Sequence, residues 1–244
     1  IMLYGTSSIY AMYIYYPSSN LHILHNTTYL TGGGTAYGIY TYNSTTSYRP
    51  VIKNNIFATS AGTSSYPIYY NSSYYDNRYF DVDYNNYSST GSYVGYAGSA
   101  MTTLANLQMA TQQDVNSLSE NPNFINPALD LHTSGKTMIV SPLVPKDING
   151  TVRPKITNMG CYHDYVPLAV DIKPEAFVSP SSRKVTPHIS IPITIILSNL
   201  GGDTLTSCKI EWKINNVAQT PYNWTGTLPY LESQNVQIGT YTFP

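Results

Sequence analysis

Several groups of side chains in this 244-residue sequence have types and spacings that could do chemistry. Tyr13, Tyr40 and Tyr69 recur at offsets of 27 and 29 residues. Aligned aromatics on an outer surface can stack on the apolar sides of sugar rings while their hydroxyls form hydrogen bonds. A purely structural aromatic ladder explains the same column. Asp76, Asp81 and Asp83 form the one local acidic group. A Ca²⁺ ion takes about six to eight oxygen ligands, so these carboxylates would be only part of a Ca²⁺ site. His25, Lys53 and Asp83 align at successive repeats, either as a site or as solvated residues at a turn edge, and the lack of clustered partner carboxylates favours the turn edge. Asp114, Asp130, His132 and Asp147 suit hydrogen bonds to the backbone of turns. His22, His163 and His188 stand alone.

What must position these groups is a repeat. Tyr10-Ala11-Met12-Tyr13 returns as Tyr37-Gly38-Ile39-Tyr40 and Tyr66-Pro67-Ile68-Tyr69. Between these copies runs a second phase, from Ile23 to Tyr29, from Val51 to Phe57 and from Val82 to Tyr87, with Tyr29, Phe57 and Tyr87 as corresponding aromatics. A constant period in this range predicts a solenoid whose units bury their apolar faces against their neighbours. Short alternating runs of Tyr, Ile, Thr and Val between Gly, Ser, Asn and Pro are strand chemistry with turn punctuation. The expectation is a parallel β-helix, with Met12, Ile39 and Ile68 inward and Tyr13, Tyr40 and Tyr69 outward. Asn26, Asn54 or Asn55, and Asn85 suit a ladder of amides bonding the next coil's turn.

Composition narrows the function classes. Charged residues make up 10%, well under the roughly 25% of ordinary soluble domains, and the net charge of −1 supplies no basic footprint for nucleic acid. No apolar run approaches the ~18 residues of a membrane span. The chain opens and closes in mid-pattern and reads as a piece of a longer protein. Cys161 and Cys208 lie too far apart for a disulfide framework or metal spacing, and read as free, buried thiols.

From Met101 the pattern changes to a short helix with Leu104 and Leu107 on one face and Thr102 or Thr103 as N-cap. The irregular stretch beyond it is placed to cover the last coil. Its motifs, Asp114 to Ser117, Asn121 to Phe124, Asp130-Leu131-His132, Asp147 to Gly150 with Arg153-Pro154, and Met159 to Tyr162, follow Asp83-Tyr84-Asn85. In that order they resemble the C-terminal end of right-handed parallel β-helix proteins of the pectate-lyase-like superfamily, over roughly residues 10 to 165. Cys161 departs from the small residue usual in such endings. The resemblance implies a secreted or cell-surface protein and, in some members, polysaccharide lyase or glycoside hydrolase activity. Lyase chemistry needs a base and a cation to neutralise a uronate carboxylate, and hydrolysis needs two facing carboxyl groups. Arg49, Lys53 and Arg78 are the cations of the coils, and no such pair is visible.

Past Tyr165 the period ends and Val166-Pro167 reads as a hinge. Ile189, Ile191, Ile193, Ile195 and Leu197 alternate with Ser190, Pro192, Thr194, Ile196 and Ser198 as a strand with one buried face. Cys208, Ile210, Trp212 and Ile214 alternate likewise, Trp212 being the expected core aromatic, and Asn215-Asn216 suit a tight hairpin. Residues 166–244 read as an immunoglobulin-like β-sandwich lacking its last strands. The Ser198-Asn199-Leu200-Gly201 turn and the Trp224-Thr225-Gly226 step resemble bacterial CARDB-type adhesion modules. The expected fold class is thus all-β, a parallel β-helix over 1–165 and a partial sandwich over 166–244. The expected function is contact with polysaccharide or cell-surface glycan through Tyr13, Tyr40 and Tyr69, with no catalytic residue in the segment. The alternative is the tail of a polysaccharide lyase or glycosidase whose catalytic coils lie upstream.

Overall fold

A computed structural model describes residues 1–17, 20–42, 46–133, 139–140, 142–164, 166–181 and 185–244, with only the backbone of 139 and 140. The chain divides into two units, Ile1–Tyr165 and Val166–Pro244, with Tyr165 itself outside the described residues. Among the described residues no helix is long and apolar enough to cross a membrane.

The first unit is a β-solenoid of about three turns. Its strands are β1 (Met2–Gly5), β2 (Ile9–Ile14), β3 (His22–Leu24), β4 (Thr27–Gly32), β5 (Ala36–Thr41), β6 (Val51–Lys53), β7 (Ile56–Ala61), β8 (Tyr66–Tyr70), β9 (Asp81–Asp83), β10 (Asn86–Ser89), β11 (Gly95–Ala97) and β12 (Ser99–Met101). They form three parallel sheets, β1-β4-β7-β10, β2-β5-β8-β11 and β3-β6-β9, with β12 antiparallel on β11. Met12 pairs with Ile39 and Ile39 with Ile68, so the expected inward column exists. Ile39 and Ile68 are fully buried among Ile52, Phe57, Tyr87 and Val82, and Met12 packs half-buried against them.

The second phase is offset by one residue from its sequence alignment. Thr28, not Tyr29, pairs with Phe57, which pairs with Tyr87. Phe57 and Tyr87 stack inside with centroids 6.2 Å apart, while Tyr29 sits on the outer side beside Ala58, in a column that continues to Ser88. A one-residue shift in a strand exchanges its faces.

At the corner between the β3-β6-β9 sheet and the β4-β7-β10 wall, His25, Asn54 and Tyr84 hold φ of 54°, 61° and 56°, the left-handed turn that Asn and His tolerate better than branched residues. The next residue in each coil, Asn26, Asn55 and Asn85, builds the ladder. The Asn55 amide donates to Ile23 O at 2.9 Å and Asn85 Oδ1 at 2.9 Å, and Asn55 Oδ1 accepts from the Asn26 backbone N–H at 2.8 Å. Asn85 donates to Ile52 O, and its backbone N–H donates to Ser117 Oγ at 3.0 Å. Residue Asn55, rather than Asn54, is the middle rung.

Helix α1 (Leu104–Thr111) is capped by Thr103, whose hydroxyl accepts from Asn106 N. Leu107 is fully buried, Leu104 and Ala110 pack half-buried against the core, and Met109 is exposed. Residues 113–118 then add a further rung, with Asp114 N–H donating to Val82 O and Leu118 N–H to Asn85 O. The cap goes further than covering the last coil. Through β13 (Phe124–Asn126), β14 (Asp130–Thr133), β15 (Ile139–Val140) and β16 (Thr157–Asn158) the chain returns along one flank. Gly160 N–H donates to Asn54 O and Cys161 N–H to Thr27 Oγ1 at 2.9 Å. Buried Arg153 holds this return, its guanidinium donating to Gly160 O and Cys161 O.

The second unit contains β17 (Ile172–Ser179), β18 (Ser190–Asn199), β19 (Leu205–Ile210), β20 (Lys213–Ile214), β21 (Val217–Ala218), β22 (Tyr222–Leu228) and β23 (Ser233–Thr242). Two antiparallel sheets, β17-β18-β23 and β19-β22, share a core of Ile193, Ile195, Leu197, Leu205, Trp224, Leu228, Val236 and Ile238. Asn215 and Asn216 take φ of 48° and 67° in the β20–β21 hairpin. Trp224 replaces Trp212 as the buried aromatic: the alternating run breaks after Ile210, leaving Trp212 half-buried with its indole N–H on Thr220 O. Cys161 and Cys208 are free and half-buried, less enclosed than expected.

Candidate functional site: the tyrosine face

Each of four successive coils contributes the motif Tyr-x-x-Tyr to the β2-β5-β8-β11 sheet: Tyr10 and Tyr13, Tyr37 and Tyr40, Tyr66 and Tyr69, Tyr93 and Tyr96. Strict alternation would place only one tyrosine of each pair outside. Instead the two middle residues both turn inward: Gly38 and Ile39 are buried while Tyr37 and Tyr40 are not, and Pro67 and Ile68 repeat the arrangement. Gly38 suits this position because a Cβ there would lie 2.5 Å from Pro67 O and 3.1 Å from Phe57 Cβ. Four coils in register therefore carry two columns of phenols.

In the expected column Tyr13, Tyr40, Tyr69 and Tyr96 stack with centroids 4.9, 5.0 and 4.3 Å apart and planes within 12°. The second column, Tyr10, Tyr37, Tyr66 and Tyr93, stacks at 4.6, 5.9 and 5.3 Å. Edge-to-face contacts join the columns, such as Tyr10 on Tyr13 at 5.6 Å and Tyr37 on Tyr40 at 5.3 Å. Tyr15 and Tyr42 stack at 5.1 Å as a shorter third column. Offset stacking and T-shaped contacts are the two favoured aromatic arrangements, and together they make the array self-supporting.

The stacking decides what the surface can offer. Ring faces are occupied by neighbouring rings, so along the columns a ligand meets ring edges and hydroxyls. Burial, and behind it the charge that neighbouring phenolates would carry, pushes Tyr40 and Tyr69 up to about 12. Tyr37 and Tyr66 are raised for the same reasons. These four phenols are neutral donors and acceptors across the physiological range.

The ionisable groups singled out by sequence do not converge. Register pairs Lys53 with Asp83 as expected, but it places Leu24 opposite Lys53 while His25 bonds Asn54, so His25 drops out of the expected column. Lys53 instead makes an ion pair with Asp81 at 2.8 Å, and Arg78 one with Asp76 at 2.6 Å. Asp83 accepts from the backbone and amide of Asn116. The three aspartates thus have three separate partners, and among the described residues no three His, Cys, Asp or Glu side chains group to hold a metal ion. Asp130 and Asp147 cap turns, Asp147 accepting from Asn149, Thr151 and His163 backbone N–H groups. His132 bonds Asp164 at 2.6 Å and stacks on Tyr162.

Sequence reasoning missed Tyr96 and the whole second column. The signal was present as the first tyrosine of each motif copy, but period-two logic assigned that position to the inner face. No protein-family model matches the chain, and neither a curated protein nor a solved structure shows significant similarity to it.

Proposed function

We propose that this chain is a segment of a secreted or cell-surface bacterial protein that contacts polysaccharide through its tyrosine face, without catalysing turnover. The reading takes the solenoid as a right-handed β-helix of the pectate-lyase-like superfamily and the second unit as a CARDB-type, immunoglobulin-like spacer or adhesion module. The observation that carries it is the pair of interlocked tyrosine columns. Their hydroxyls and ring edges repeat at the coil spacing, which suits a ligand that itself repeats hydroxyls and apolar C–H surface along a chain. Binding at one position is weak, because loss of ligand freedom offsets most of what a few shallow contacts contribute. Engagement of several positions by one polymer raises the effective affinity. Pairing of Lys53 with Asp81 and of Arg78 with Asp76 supports the non-catalytic part, since neither cation is free to act as a base.

The test is co-sedimentation of the protein with insoluble cellulose, chitin and cross-linked pectin, with reducing and unsaturated ends assayed in the supernatant. The expected result is retention on at least one polymer with no sugar released. The triple variant Tyr13→Ala, Tyr40→Ala, Tyr69→Ala should lose retention by about tenfold or more while keeping a cooperative thermal transition. Retention unchanged in the triple variant would return the columns to a structural role. Released sugar would replace this reading with the lyase or hydrolase one.

A further inference from the structure

On a different wall of the solenoid lies a cleft of about 430 Å³, within the range of small-ligand sites. Its floor is the outer side of β4, β7 and β10, and its side wall is the returning segment from Ser119 to Pro127. Here the column that continues from Tyr29 is Ala58 and then Ser88. Where the tyrosine face fills every rung with a ring, this column leaves the next two rungs without one. Among the described residues no ring stacks on Tyr29 within the strand column, and its phenol is fixed by a 2.7 Å hydrogen bond to Ser60 Oγ. Phe124 meets Tyr29 edge to face at 5.9 Å.

We infer that this cleft is a binding site for a neutral pyranose sugar, separate from the tyrosine face and independent of the function proposed for it. The cleft gives the aromatic pair Tyr29 and Phe124, a small floor at Ala58 on which a sugar ring can lie, and a border of short polar groups at Ser88, Thr90 and Asn121. An apolar slot with convergent hydroxyls is the chemistry that recognises a pyranose, through C–H contacts on one side and hydroxyl hydrogen bonds around the rim. Among the described residues of the lining, Glu120 is the one charged side chain. With a carboxylate and no cation, the cleft repels uronic acids, although uronates are the substrates that the fold's resemblance would suggest.

The test is saturation-transfer NMR on the whole chain with maltose, cellobiose and lactose, and with digalacturonic acid as the acidic counterpart. Saturation of at least one neutral disaccharide is expected at an affinity of about 1 mM, with none for digalacturonic acid. Ala58→Tyr completes the missing rung and should abolish the signal. Ser88→Val removes a rim hydroxyl without filling the slot and should weaken it about tenfold, which guards against a misfolded first variant. The Tyr13→Ala, Tyr40→Ala, Tyr69→Ala protein should bind the disaccharide as wild type does, so loss of polymer retention and loss of this site read out separately. No neutral disaccharide signal, equal binding of digalacturonic acid, or an unchanged signal in both Ala58→Tyr and Ser88→Val overturns the proposal.

Discussion

The solenoid carries two side-chain ladders on different edges, and they obey different physics. Along the corner, Asn55 and Asn85 are enclosed and Asn26 is half-buried, and the amides of Asn55 and Asn85 satisfy backbone groups of the neighbouring coil. Along the open face, Tyr13, Tyr40, Tyr69 and Tyr96 satisfy chiefly one another, with edges and hydroxyls left to solvent. A buried amide cannot be removed without orphaning its partners, whereas a surface ring can be removed at the cost of its stacking alone. The first ladder therefore specifies coil register, and the second specifies a surface.

The sharpest way to break this contrast is Asn55→Ala. It strands the Asn26 N–H, at about 1–3 kcal/mol, and removes the side-chain bonds to the Ile23 carbonyl and to Asn85 Oδ1, so a loss of roughly 3 kcal/mol is expected in urea denaturation of the folded chain. Tyr40→Ala, at the equivalent middle rung of the other ladder, should cost about 1 kcal/mol. Equal losses would erase the distinction. Between these lies Gly38→Ala, whose Cβ would meet Pro67 O at 2.5 Å. Backbone has to shift to admit it, for a cost of about 1–3 kcal/mol, and near-ultraviolet circular dichroism should report a disturbed tyrosine array.

The asparagine ladder ends on an ionisable group, which makes part of its strength depend on pH. Ser117 accepts from Asn85 N–H and donates to Asp114 Oδ1 at 2.6 Å, and Tyr87 donates to the same oxygen at 2.9 Å. Burial pushes the Asp114 carboxyl up to about 7, outweighing these hydrogen bonds. A carboxyl whose folded value lies above its unfolded value of about 3.9 favours the folded state below that unfolded value. The advantage is lost as pH rises through about 7. Melting temperature should fall between pH 4 and pH 8, and Asp114→Asn should flatten that fall. Asn tolerates the 61° φ of this position, so the variant should match wild type at about pH 4 and exceed it by about 2–4 kcal/mol at pH 8.

How much of this was legible in the sequence follows from the same contrast. The repeat, the inward Met12, Ile39 and Ile68 column and the outward Tyr13, Tyr40 and Tyr69 column were readable because identical residue types recur at a fixed offset and stacking demands register. The middle rung at Asn55 and the inward Thr28 were not, because a turn residue in the left-handed region shifts alternation by one position without leaving a mark in residue type. Tyr10, Tyr37 and Tyr66 were hidden by the two consecutive inward residues that follow each of them. The cleft beside Tyr29 was invisible for another reason: its side wall comes from residues about ninety positions away, and its opening depends on Ala58 being small. In the second unit, Asn215 and Asn216 announced their hairpin by type, while the break after Ile210 that exchanged Trp212 for Trp224 had no such marker.

The smallest effect expected at neutral pH is also the most specific to the tyrosine face. Tyr40 and Tyr69 are held up at about 12 by burial first and by neighbouring phenols second, against about 10 for a free tyrosine. Because the folded value is raised, the array favours folding fully below about pH 10 and loses that advantage as pH climbs through 12. Around pH 7 that advantage is fully present, so stability there does not vary with pH on account of these phenols. Phenolate absorbance should then show a group of tyrosines titrating late in the folded chain and collapsing to the ordinary value in denaturant. Tyr13→Phe deletes one neighbouring charge while keeping the ring, and should move Tyr40 downward by a small amount. If only burial mattered, Tyr13→Phe would leave the late group in place, and the columns would be separate rings sharing a surface. A downward shift shows instead that their phenols sense one another along the column, the coupling that the buried, uncharged asparagine ladder lacks.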